Sequence, residues 1–171
     1  MKTVRFLALA SLLVLPLGAR ADLTLSVDAN AIAPSHRDSL GFAFGAAGGL
    51  DLLELGPLAL GPHVRIGAGG AQPDLFWHGS VGARLSLDVL LVVSAAARIG
   101  VASYDRGVPL DGSRIVGPKS GSGALLETDL TAEYPLFGPL TVGARYGYSR
   151  ILLDGADYDW PSYGLQVGLR L

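Results

Sequence analysis

The chain contains no cysteine, which excludes a disulfide framework and a lipid-attachment cysteine. Charge is scarce: 16% of residues are charged, where an average soluble domain carries about a quarter. The 13 basic residues stand against 15 acidic ones and form no basic stripe, so nucleic acid is excluded as a partner. Long apolar runs are missing as well. The best candidate, residues 85–101, is cut by Asp88 and Arg98, short of the roughly 20 apolar residues that a spanning helix needs. Yet half of the residues are hydrophobic. Strands that give every second residue to lipid produce this combination.

The first 21 residues stand apart. Lys2 and Arg5 precede an apolar core over 6–18, and Ala19-Arg20-Ala21 supplies an A-x-A cleavage signal, the pattern of a secretory signal peptide. Removal of 1–21 takes away Lys2, Arg5 and Arg20 and leaves 10 basic against 15 acidic residues. The expected mature domain is 22–171.

From Leu23 on, the chain alternates with period two, and turn chemistry divides it into eight strands. In 23–33, Leu23, Leu25 and Val27 share one parity and Thr24, Ser26, Asp28 and Asn30 the other. In 40–52, Phe42 and Phe44 oppose Gly41, Ala43, Gly45 and Asp51. Strand 60–69 sets Val64 and Ile66 against His63, Arg65 and Gly67, and 77–88 sets Trp77, Val81 and Leu85 against His78, Ser80 and Arg84. The parity of 91–103 is the least regular, with Arg98 opposing Ile99. Strand 122–134 opposes Leu126 and Leu130 to Glu127, Asp129 and Glu133, and 140–152 opposes Val142 and Tyr146 to Gly143 and Arg145. The eighth closes the chain at Leu171. If these faces are right, Val142→Arg should harm insertion and Gly143→Ser should be mild.

The connections alternate between tight turns (53–57, 89–90, 135–139) and longer segments (34–39, 70–76, 104–121, 153–161). This is the order of an all-β, eight-stranded, antiparallel up-and-down transmembrane β-barrel with periplasmic turns and outer loops. A soluble lipocalin-like barrel would need roughly a quarter to a third charged residues outside, whereas the polar parity is mostly Gly, Ala and Ser. Aromatics also gather at strand ends: Phe42, Phe76, Trp77, Tyr148, Trp160 and Tyr163 on the loop side, Tyr134 and Phe137 opposite. They read as interfacial girdles.

The last strand carries a family resemblance. Tyr163, Leu165, Val167, Leu169 and Leu171 alternate to the final residue, with Gly164, Gln166, Gly168 and Arg170 between. This resembles the terminal strand of bacterial outer-membrane proteins, although the family usually ends in phenylalanine. With its signal peptide and eight strands, the chain is similar to the small barrels of the OmpA transmembrane-domain, OmpX and OmpW kind. The resemblance implies the bacterial outer membrane, lipopolysaccharide as surroundings and the barrel assembly machinery as a partner.

The inward charges then become the candidate site: Asp28, Arg65, Arg84, Arg98, Glu127, Asp129 and Arg145 lead a lumen network of arginines and carboxylates. Pairing about the 135–139 turn puts Arg145 between Glu127 and Asp129, an arrangement suited to a poorly hydrated interior. The expected role is structural or surface-interacting. The alternative is a narrow pore for ions or small solutes, since inward glycines could leave wet gaps. A lipid A-modifying hydrolase comes third: His78 and Ser80 resemble the His-x-Ser of lipid A deacylases, but Val92 stands where that family needs glutamate, and no enzyme is expected. No cofactor or metal is expected, and no external ligand is indicated. Asp154, Asp157 and Asp159 offer a weak loop site for a cation, short of a full Ca²⁺-loop pattern.

Overall fold

The computed structural model describes residues 22–35, 39–71, 74–105, 120–152 and 158–171. Its strands are β1 (Asp22–Ile32), β2 (Gly41–Asp51), β3 (Leu53–Leu55), β4 (Leu58–Ala71), β5 (Asp74–Asp88), β6 (Val92–Asp105), β7 (Ser120–Phe137), β8 (Leu140–Leu152) and β9 (Tyr158–Arg170). Because β3 continues β2 past Leu52 along the same neighbour, β4, the nine segments make eight staves. Each stave pairs antiparallel with the next, and β1 pairs with β9. The sheet is therefore a closed barrel without an edge, the form in which strands can cross a bilayer. Reciprocal hydrogen bonds of 2.8 Å between the backbones of Leu23 and Leu171 finish the seam.

The alternation in the sequence is the alternation of faces. Leu25, Val27, Phe44, Ile66, Val81, Ile99, Leu130 and Leu165 lie on the exposed outside, while Thr24, Asp28, Arg65, Ser80, Arg98, Glu127 and Arg145 are buried inside. An apolar exterior around a polar interior is the reverse of a soluble barrel and places the fold across a lipid bilayer.

Two hairpins are tighter than their flanking prolines suggest. The turn between β3 and β4 is Gly56-Pro57 alone, and that between β7 and β8 is Gly138-Pro139. Gly56 and Gly138 adopt φ of +63° and +56°, and the proline that follows is held at negative φ. These are the φ signs of a type II′ turn, which matches strand twist and takes glycine first. The start of β1 and the end of β9 lie at this short-turn end of the barrel.

At the other end the strands run further than turn chemistry indicated. β5 starts at Asp74, β7 at Ser120 and β9 at Tyr158, so residues assigned to outer loops continue the ladder. The extension corrects the girdle. Phe42, Trp77, Tyr148 and Tyr163 do face outward, but Phe76 and Trp160 are buried in the lumen, 4% and 2% exposed. Two expectations about β8 also change. Val142 is the third residue of β8 after the turn, far from the middle of the strand, and a side chain at Gly143 would collide with the Ala132 carbonyl oxygen and meet the Glu133 side chain at 2.9 Å, so Gly143→Ser is not a mild change.

Candidate functional site

Glu127, on β7, is the hub of the lumen. Its Oε1 lies 3.1 Å from Arg65 Nε and 3.2 Å from Arg145 Nη2, and its Oε2 lies 3.2 Å from Arg98 Nε. Ser80 Oγ donates to Oε2 at 2.7 Å. Each guanidinium also holds a second carboxylate: Arg65 forks onto Asp28, Arg98 reaches Asp129, and Arg145 reaches Asp129 at 3.2 Å. Asn30 donates to Asp28, and Arg145 Nη1 also donates to Ser162 Oγ at 3.2 Å. Such pairing is what lets charge persist away from water. Arg98 Nη1 lies 2.7 Å from His63 Nδ1. Since a guanidinium can only donate, His63 accepts through Nδ1 and carries its proton on Nε2.

Toward the short turns the polar filling continues. Thr141 and Gln166 each donate to Glu133 at 2.7 Å. Arg84 contacts both Asp51 oxygens at 2.9 and 3.1 Å, and Arg170 bridges to Asp88 at 2.6 Å. Inward glycines seat these long side chains. A side chain at Gly45 would collide with the Arg65 guanidinium, and one at Gly147 with that of Arg145. Both positions are thus filled rather than wet gaps. A cavity of about 20 Å³ lies among His63, Arg65, Arg84, Asp129 and Arg145, room for about one water molecule.

Toward the loops the filling becomes apolar. Ile32, Phe76, Tyr104, Leu125, Ile151, Tyr158 and Trp160 form a buried cluster across the lumen. Phe76 and Trp160 meet at 4.4 Å between centroids with their planes tilted by 33°, Tyr158 meets Trp160 edge-on at 5.4 Å, and Tyr104 lies within 19° of parallel to Tyr158 at 6.4 Å. The barrel is thus stoppered twice, by an aromatic cap and by a charge network below it.

No family model and no curated relative matches the sequence, but solved structures match the fold. Neisserial surface protein A aligns with a TM-score of 0.53 at 18% identity, over 88% of this chain and 96% of its own. The outer membrane enzyme PagL aligns with a TM-score of 0.58 at 15% identity, over 84% and 98%. Ail, the attachment invasion locus protein of Yersinia pestis, aligns at 0.53 and 14% identity, over 88% and 97%. The fold is that of the small eight-stranded outer-membrane β-barrels.

Within this barrel, six of the seven network residues named from the sequence meet in one cluster, and Arg84 is set apart beside Asp51. The register that led to them needs correction. Arg145 pairs across the ladder with Thr131, while Glu127 pairs with Ser149 and Asp129 with Gly147. A register irregularity at Pro135–Phe137 and the short turn displace the strands. Arginine is long enough to reach its diagonal neighbour Asp129, and Glu127 two residues further along β7. His78 and Ser80 point into the lumen, 5% and 4% exposed, with Ser80 held by Glu127. Asp154 and Asp157 lie outside the described residues. Asp159 belongs to β9 and accepts hydrogen bonds from Ser35 Oγ and Tyr148 Oη, both 2.8 Å. Among the described residues no cluster suited to a metal ion occurs.

The aromatic cap is the part that sequence reasoning missed. The signal was present: extending each parity past the inferred strand ends puts Phe76 with His78, Tyr104 with Ala102, and Tyr158 and Trp160 with Ser162.

Proposed function

We propose that the protein is a sealed barrel of the bacterial outer membrane with a structural or surface-interaction role, exported by a cleaved signal peptide over 1–21 and inserted by the barrel assembly machinery amid lipopolysaccharide. The observation that carries this reading is Glu127 tied to Arg65, Arg98 and Arg145 beneath the Phe76–Trp160 cap. A passage for ions needs continuous polar space. Here the polar layer is occupied by its own salt bridges and the layer above it is apolar. Single-channel recording in planar bilayers tests the proposal: the purified barrel should give no discrete conductance, and steady unitary currents would favour the narrow pore. For a lipid A-modifying hydrolase, His78 and Ser80 would have to meet an acyl ester, and their place in the lumen speaks against that use. Lipid A from cells with and without the gene should have the same mass.

A further inference from the structure

On the lipid-facing surface near the loop end, the cross-strand rows alternate large, small, large. Phe44 on β2 pairs with Ala68 on β4, which pairs with Trp77 on β5, and in the next row Phe42 pairs with Gly70, which pairs with Leu75. The small residues of β4 thus floor a trough that the four large side chains line, and its volume of about 610 Å³ continues past Leu75 and Trp77 to Ser103 and Asp105 on β6. All four are strongly exposed, from 58% for Trp77 to 69% for Phe42. The gap between β2 and β5 spans two strand spacings, about 10 Å between backbones. With side chains standing on both walls, it is too narrow for a helix about 10–12 Å across. The described residues that line it include the carboxylate of Asp105 and no cation, a lining that does not favour a phosphate or sulfate group. The trough is continuous with the apolar belt of the barrel.

We propose that this trough is a binding site for one acyl chain of an outer-leaflet lipid, held between Phe42–Phe44 and Leu75–Trp77 over the Ala68–Gly70 floor. The occupant is a flexible, unbranched hydrocarbon chain, because the walls offer apolar contact along a narrow line.

Trp77 reports on occupancy, since the other tryptophan, Trp160, is enclosed in the lumen. The folded barrel in dodecylmaltoside micelles is titrated with dibromostearate, whose bromines quench indole fluorescence on contact, so that the fatty acid must compete with detergent. Three variants are compared: Ala68→Phe, which fills the floor; Phe44→Ala, which removes a wall; and Trp77→Phe with Val167→Trp, which moves the reporter to a plain part of the belt. Folding of each is checked by its heat-dependent gel mobility. Quenching of the native barrel should saturate, with a midpoint about threefold below that of the relocated reporter, a preference of under 1 kcal/mol. Ala68→Phe and Phe44→Ala should both move the midpoint up to that reporter's value. Coincident curves for the native barrel and the relocated reporter would overturn the proposal. So would Trp77 shielded from dibromostearate in a barrel that sediments as a dimer, which would make the trough a contact between two copies.

Discussion

The central lumen cluster contains three guanidinium groups, Arg65, Arg98 and Arg145, and three carboxylates, Asp28, Glu127 and Asp129, so its formal charge is zero. Arg145→Met leaves one negative charge in excess, and Glu127→Gln, nearly unchanged in shape, leaves one positive charge. Breaking a buried pair from one side generally costs about 3–5 kcal/mol, because the remaining charge loses its partner without regaining water. Each single variant should therefore lose that much. The double variant holds two cations against two anions and is neutral again. Its loss should fall short of the sum by about 1–3 kcal/mol, the usual coupling between residues in one network. Urea unfolding of the four proteins in lipid vesicles, followed by tryptophan emission, measures the cycle. Losses that add to within about 0.5 kcal/mol would refute the idea that charge balance holds the network together. Single variants that stay as stable as the native barrel while passing ions would refute the sealed lumen itself.

Ile99, 65% exposed at the middle of β6, should tolerate Arg poorly, with insertion weakened by about 2–4 kcal/mol in vesicle refolding. Trp160→Ala should cost about 3–5 kcal/mol in the same assay. It should give no conductance unless combined with Arg145→Met, since the charge network below the cap remains. Gly143→Ser should lose about 1–3 kcal/mol through overpacking against Glu133, seen as a lower urea midpoint. The native barrel should migrate faster on gels before boiling than after it, since detergent alone should not open a closed ladder.

The faces were legible because a period of two leaves no choice once one residue of a strand is placed. Arg65, Arg98 and Glu127 could be set inside from Val64, Ile99 and Leu126 alone. Strand ends were not legible, since Asp74, Ser120 and Tyr158 sit in glycine-, proline- and aspartate-containing stretches that read as loops but continue the ladder. The cap went unseen for that reason: an aromatic residue beyond an assumed strand end looks interfacial, and its parity is not consulted. The register of β7 on β8 failed on a smaller matter. Pro135 suggested a turn five residues long, whereas the chain carries that proline inside β7 and turns at Gly138-Pro139. The meeting of Arg145 with Glu127 and Asp129 depends more on side-chain reach than on register.

The charges of the central cluster are spread over five strands: Asp28 on β1, Arg65 on β4, Arg98 on β6, Glu127 and Asp129 on β7, and Arg145 on β8. The stretch β6–β8 is self-neutralising within this cluster, but Asp28 meets its Arg65 only when the first strand is in place beside β2 and β9. A half-formed sheet in hydrocarbon would carry that mismatch exposed. Assembly is therefore driven toward all-or-none insertion, in which the strands cross the bilayer together and the final zippering of Leu23 to Leu171 coincides with charge neutralisation. Folding intermediates that have inserted β4 without β1 should be short-lived for an electrostatic reason, independent of how quickly hydrogen bonds form.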